Sequence, residues 1–392
     1  MMFKLLSKSK NSSRSCLHIF VASIFFAFHY YFILYINSSY LETLISRSTI
    51  GILYSSAAIL TILILLKLSR IIEKIGIFKT LVTLTLIDIT ALGTIVLTDN
   101  IILTITCFIV YFALPTLILV CLDTAIEDTT ESLTMGKTRG IFLTVLATAA
   151  VLSPLVIGGM ISDKGFEQIY LFSLFFLFLF LVVITINRHF FKTANLTRIK
   201  GLDSVREFFS IPDIRRIGII NFSLHFFFSW MIIYIPIYLS TEMGFGWQDI
   251  GIMISIALLP FVILEIPAGE VADESLGEKE MLIGGMTFMI IASLLFPTLA
   301  KGAFILWTLT LLLGRTGASV METMVESYFF KKSEGRDELI EVFRMGQPLA
   351  YIAGPLVGSL MLLYVPFAYI FPILAVVLLG AVLPAIRIVD TK

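Results

Sequence analysis

Charge is what this chain has least of. Only 14% of its 392 residues are Asp, Glu, Lys or Arg, against roughly 25% in a soluble domain. Hydrophobic residues make up 58%, and the mean hydropathy is +0.98. A soluble core cannot absorb that much apolar surface, whereas a bilayer can. Basic and acidic residues balance at 28 each, so net charge recruits no nucleic acid. Cysteine is scarce too. Cys16, Cys107 and Cys121 sit in or beside apolar stretches without a CxxC pair, which excludes a disulfide framework and a cysteine metal site. The four histidines are too scattered for a zinc pattern. Gly136-Lys137-Thr138 ends like a phosphate-binding loop, but Glu131 stands where that loop needs glycine. With no nucleophile–base constellation either, we expect neither an enzyme nor a bound cofactor.

Long apolar runs fill the remainder. A membrane helix needs about 20 mostly apolar residues. Twelve runs qualify: 17–38, 46–66, 79–98, 101–122, 140–160, 168–187, 217–239, 250–268, 281–299, 303–326, 341–363 and 367–386. They are continuous rather than alternating, which argues against barrel strands. Backbone groups in hydrocarbon must be satisfied internally, which requires helices. The first run is too long for a signal-peptide core and lacks a small-residue cleavage site, so it reads as an uncleaved span. With both termini in the cytoplasm, all basic residues except Arg47, Lys164, Lys301 and Arg315 lie inside, as the positive-inside rule asks. The polar segment 188–216 reads as a cytoplasmic linker against anionic head groups.

Shifting the chain by 200 residues reveals a repeat. Ile50-Gly51-Ile52 falls on Ile250-Gly251-Ile252, and Ser69-x-x-x-Glu73 falls on Gly269-x-x-x-Asp273. With one-residue adjustments, Asp123-Thr124-x-x-Glu127 falls on Glu322-Thr323-x-x-Glu326, and Ser153-Pro154-Leu155-Val156 on Gly354-Pro355-Leu356-Val357. Four landmarks in register imply two six-span halves. The expected organisation is an all-α polytopic membrane protein: a cytoplasmic tail at 1–16, a bundle at 17–187, the linker at 188–216 and a second bundle at 217–388. A parallel repeat of this kind, around a central cavity, is an alternating-access architecture.

Here the chain resembles the major facilitator superfamily over essentially its whole length. Gly269-Glu270-Val271-Ala272-Asp273-Glu274-Ser275-Leu276-Gly277-Glu278-Lys279 is similar to that family's signature loop with one residue inserted. In the first-half copy, from Ser69 to Lys79, Ser replaces the first Gly and Glu replaces Asp. Gly354-Pro355-x-x-Gly358, with Ser153-Pro154 and Gly158 in span five, resembles an antiporter-associated run. Small residues beside a Pro kink serve helix packing equally well. The resemblance implies a twelve-helix fold of two pseudo-twofold-related bundles, with spans one, four, seven and ten lining the cavity.

Ionisable residues inside spans are costly and usually functional. Arg315 lies near the middle of span ten and is a candidate substrate contact. His29, Tyr30, His225, Trp230 and Tyr234 are candidate cavity residues on spans one and seven; a lone His among aromatics equally fits a satisfied core position. Asp88 in span three and Glu322 in span ten are candidates for ion coupling; on a span that the resemblance makes peripheral, Asp88 equally fits a buried hydrogen-bonded acid. The resemblance also implies a cytoplasmic gate of Glu73, Lys74, Lys79, Asp123, Glu127, Arg139, Gly269, Asp273, Gly277, Lys279, Glu326 and Arg344. In it Glu73 approaches Arg344, and Asp273 approaches Arg139. We therefore expect a monomeric, proton-coupled secondary transporter in the inner or plasma membrane, with small-molecule substrate, protons and lipids as partners. Export of an amphipathic compound is the leading reading. Uptake of a small anion through Arg315, or a non-transporting receptor or lipid-handling protein on the same fold, are the alternatives.

Overall fold

The computed structural model describes residues 2–129, 135–191, 202–333 and 336–390, without the side chains of 2–16, 127–129, 135–139, 162–164, 202, 273, 337 and 341. Among them every regular element is helical. Ten helices are long and apolar enough to cross a membrane: Leu17–Glu42, Arg47–Ile75, Ile77–Leu97, Ile101–Ile126, Gly140–Ile161, Phe166–Ile186, Pro212–Glu242, Glu278–Thr298, Phe304–Lys332 and Phe367–Ile386. These are spans one to seven, nine, ten and twelve. The expected span eight holds a pair of helices, Trp247–Ile263 and Glu265–Leu276, bent by 44° where they meet. Pro260 and Pro267 flank the break, and each removes a backbone donor from the ladder. The expected span at 341–363 holds a 16-residue helix, Gly346–Met361, preceded by the short amphipathic helix Asp337–Arg344.

Many large apolar side chains point outward from these helices, among them Leu63, Ile102, Phe178, Ile305 and Val376. Such exposure would be a liability in water but faces lipid tails in a bilayer. Inside, the fold divides into two compact units. One comprises Met1–Leu34, Ile59–Ser153 and Asp163–Leu196; the other comprises Tyr35–Ala58, Pro154–Ser162 and Thr197–Lys392. Spans one, two and five thus contribute to both. The first unit packs Phe26 on Phe180 at 5.3 Å, among Leu81, Leu117 and Ile184. In the second, Trp307 stacks on Phe296 at 5.7 Å, with Tyr238 and Phe371 completing the aromatic layer.

The repeat reappears as a symmetric pair of contacts inside the second unit. Gly51 of span two lies against the Pro355 carbonyl of span eleven, and its N–H donates to Ser359 Oγ at 2.8 Å. One turn on, Ser55 donates to the Ile352 carbonyl at 2.7 Å. Gly251 of span eight lies against the Pro154 carbonyl of span five in the same way. A Cβ at either glycine would overlap that carbonyl.

The signature loop ends in a cap. Gly277 has φ of +94° and precedes the helix beginning at Glu278. The Asp390 carboxylate accepts the Lys279 N–H at 2.9 Å, which satisfies an otherwise orphan helix donor. Glu278 is buried and pairs with Lys331 at 2.7 Å. Gly76, the first-half counterpart, has φ of +87° at the start of span three. Replacing Asp390 by Ala is expected to lower stability by about 1 kcal/mol, read as a lower melting temperature of the purified protein; an unchanged melting temperature rules the cap out. The linker contains helix Leu202–Ser210, whose Phe208 is buried near Phe329. That part of the linker is docked on the second unit rather than fully solvated.

Candidate functional site

Span ten carries a charged face through apolar surroundings. Arg315, Glu322 and Glu326 are spaced by seven and four residues, so they share one side of the helix. Arg315 is 6% exposed. Its Nη2 lies 3.5 Å from the Tyr35 hydroxyl, and its guanidinium carbon lies 5.6 Å from the Phe228 ring centre. Among the described residues it forms no salt bridge. Two turns along, about 10 Å by helix rise, Glu322 lies within electrostatic reach of Arg315, Glu326 and Glu265. Glu265 opens the second segment of the bent pair at span eight. Phe261, on the first segment, packs on Phe228 at 5.8 Å. All these residues belong to the second unit.

Leaving a guanidinium buried without a carboxylate is expensive. Stacking on an aromatic face returns about 2 kcal/mol when desolvated, and the long bond to Tyr35 adds little. The site therefore holds unspent positive charge beside an apolar aromatic wall, with carboxylates two turns away. Chemically it suits an anionic group attached to an apolar body.

Of the other expected cavity residues, His225 packs on the same Phe228 ring, and the rest lie elsewhere. Trp230 and Tyr234 are fully buried and bind span eleven: Trp230 Nε1 donates to the Gly354 carbonyl and the Tyr234 hydroxyl to the Pro355 carbonyl, both at 2.7 Å. A Cβ at Gly354 would strike Ser229 beside Trp230, and one at Gly358 would strike the Tyr234 ring. Gly158 likewise admits the Trp247 carbonyl, which a Cβ would approach to 2.7 Å. His225 lies 5.7 Å from Phe228, and its Nδ1 has no hydrogen-bond partner among the described residues. Tyr30 is half-buried in the first unit, edge-on to Tyr31 at 5.0 Å.

His29 and Asp88, read separately from sequence, come together. His29 Nε2 lies 3.3 Å from Asp88 Oδ2, both fully buried. Ser173 of span six completes the group, 2.8 Å from His29 Nδ1 and donating to the His29 carbonyl at 2.9 Å.

At the end of the second unit bearing span two's first turn, Arg47 bridges Glu42 of span one and Glu242 of span seven, the latter at 2.5 Å. Arg47 also sits over Phe367 at 5.4 Å. Sequence reasoning missed this clamp, together with Tyr35, Phe228, Ser173 and Glu265. Glu265 alone had a signal, as an acid within an expected span. Of the expected gate, Glu73, Lys74 and Lys79 are exposed, and Asp123 is partly buried. Gly269 and Arg344 are placed in the second unit, while the side chains of Glu127, Arg139 and Asp273 lie outside the described residues.

No curated protein matches the chain by sequence. Among solved structures, an auto-inhibited POT-family peptide transporter superposes with a TM-score of 0.78 at 11% identity, over 97% of this chain and 98% of its own. The POT-family transporter PepTSo gives 0.73 at 12% identity, over 95% and 96%. The human organic anion transporter MFSD10 (TETRAN) gives 0.64 at 13% identity, over 95% and 99%. At such identities the likeness shows the fold alone. The family model described as Major Facilitator Superfamily matches residues 19–334 and 217–392, and the chain belongs to that superfamily.

Proposed function

We propose that this protein is a secondary active transporter that exports a small amphipathic organic anion by alternating access, coupled to protons. It sits in the inner or plasma membrane with both termini in the cytoplasm. The observation that carries the substrate class is Arg315: a buried guanidinium without a salt bridge among the described residues, over the Phe228 ring. The substrate's anionic group binds there, and its apolar body lies against Phe228 and Phe261.

Ligand-induced stabilisation tests the substrate class. A ligand at 100 times its Kd adds about 2.7 kcal/mol to the stability of the form that binds it. Benzenesulfonate, a permanently charged aromatic anion, should raise the melting temperature of the wild type and not of Arg315→Gln. Phenethylammonium, its cationic counterpart, should do neither. Equal stabilisation of both proteins by benzenesulfonate, or stabilisation by the cation alone, rejects this reading.

A further inference from the structure

We infer that His29, Asp88 and Ser173 form an occluded proton-binding site inside the first unit, and that its proton is the one coupled to transport. The Ser173 hydroxyl has a single proton and lies 2.9 Å from the His29 carbonyl and 2.8 Å from His29 Nδ1, so which of the two it serves depends on the imidazole tautomer. In either tautomer a neutral His29 beside an ionised Asp88 leaves the buried pair with a net charge of −1; when the hydroxyl serves the carbonyl, the imidazole hydrogen sits on Nδ1. A neutral imidazole with its hydrogen on Nδ1 presents a bare lone pair at Nε2. That lone pair faces Asp88 Oδ2 at 3.3 Å. With Asp88 ionised, two acceptors would confront each other in a site that water does not reach, since all three side chains are 0% exposed. One proton between Nε2 and Oδ2 resolves the conflict. It takes the pair from a net charge of −1 to zero, whether it rests on the imidazole or on the carboxyl.

Among the described residues no other charge neutralises the pair. Spans one, three, four and six pack around it. Their other charged residues, Glu42, Lys79, Asp123 and Glu167, lie towards the span ends, as does His18, and their tyrosines and cysteines, Tyr30, Cys121 and Tyr170 among them, are uncharged at neutral pH. Among the described residues only His29 acts electrostatically on Asp88. A buried net charge is costly, so the proton cannot leave while the spans are packed. It exchanges with water only when spans one, three and six part. Release is thereby tied to a conformational step, which is what coupling requires. The proton comes from and returns to bulk water, and no covalent chemistry is involved. The coupling role rests on the transport reading above; the proton site does not.

Infrared pH titration of the purified full chain tests the site, with the proton itself as probe. In the wild type, one carboxyl band and the His29 ring bands should change together in a single step. Asp88→Asn keeps a donor towards Nε2 and should fold normally, but it should remove both changes. His29→Gln should shift the carboxyl step by at least one pH unit, and Asp99→Asn, in an exposed loop, should alter nothing. Independent steps for the two residues, or a carboxyl step that survives Asp88→Asn, overturn the site. In proteoliposomes, Asp88→Asn should retain benzenesulfonate exchange and lose gradient-driven accumulation. Gradient-driven accumulation at the wild-type level, or loss of exchange as well, overturns the coupling role. A wild type that moves no benzenesulfonate rejects the substrate class, and the infrared titration still decides the proton site.

Discussion

Arg315→Ala should reduce benzenesulfonate transport by about 10- to 100-fold, the equivalent of one charge-assisted hydrogen bond of about 1.5–3 kcal/mol, while leaving the folded protein intact. Removing a buried charge usually destabilises a protein because its partner is stranded. Here no carboxylate lies within salt-bridge distance among the described residues, and the Tyr35 hydroxyl loses only a 3.5 Å contact. The melting temperature should therefore hold or rise. Arg315→Lys should fall between the two, because it keeps the charge but loses the planar group over Phe228. A fall in melting temperature proportional to the loss of transport would make Arg315 a structural residue, and normal transport by Arg315→Ala would remove it from the site.

Gly51→Ala and Gly251→Ala should each cut transport at least about 10-fold, and by similar amounts. Each glycine meets a proline carbonyl of a facing helix, Pro355 for Gly51 and Pro154 for Gly251. A backbone carbonyl cannot swing away as a flexible side chain can, so the helices must separate. Overpacking of that kind costs about 1–3 kcal/mol, which in a two-state transporter is enough to depopulate the state that needs the contact. Gly93→Ala is the control: nothing lies within 4 Å of its added Cβ, and in a helix interior Ala is favoured over Gly by about 0.5–1 kcal/mol. It should transport normally and melt no lower than the wild type. Wild-type transport by either Gly51→Ala or Gly251→Ala would show that the close approach is not part of the cycle.

These expectations differ in how far the sequence alone could reach. Arg315 stood out because a charge inside an apolar run carries its own signal. Gly51 and Gly251 stood out as repeat partners, yet nothing in either half reveals which carbonyl the glycine meets. Trp230 and Tyr234 sit on a span expected to line the cavity, but their polar atoms turn to span eleven. A helix presents several faces, and pattern alone does not say which neighbour takes each one. His29 and Asp88 were each legible as a buried ionisable residue. Their pairing depends on how spans one, three and six pack, and Ser173 carries no local signal at all, since serine is common in membrane helices. The break in span eight falls inside a stretch read from sequence as one run, 250–268, although Pro260 and Pro267 mark it, and its consequence, Glu265 brought near Glu322 and Glu326, carries no pattern of its own. The Arg47 clamp joins residues 195 apart and could not have been read from spacing.

The most direct test of the central claim is benzenesulfonate movement in sealed proteoliposomes under an imposed pH gradient. The probe does not cross lipid unaided, so its accumulation reports the protein. The account predicts accumulation above protein-free vesicles that collapses when an ionophore dissipates the gradient and is lost in Arg315→Ala. Saturable binding that ignores the gradient and scales with protein rather than internal volume would contradict it, and would mark the protein as a receptor on a transporter fold.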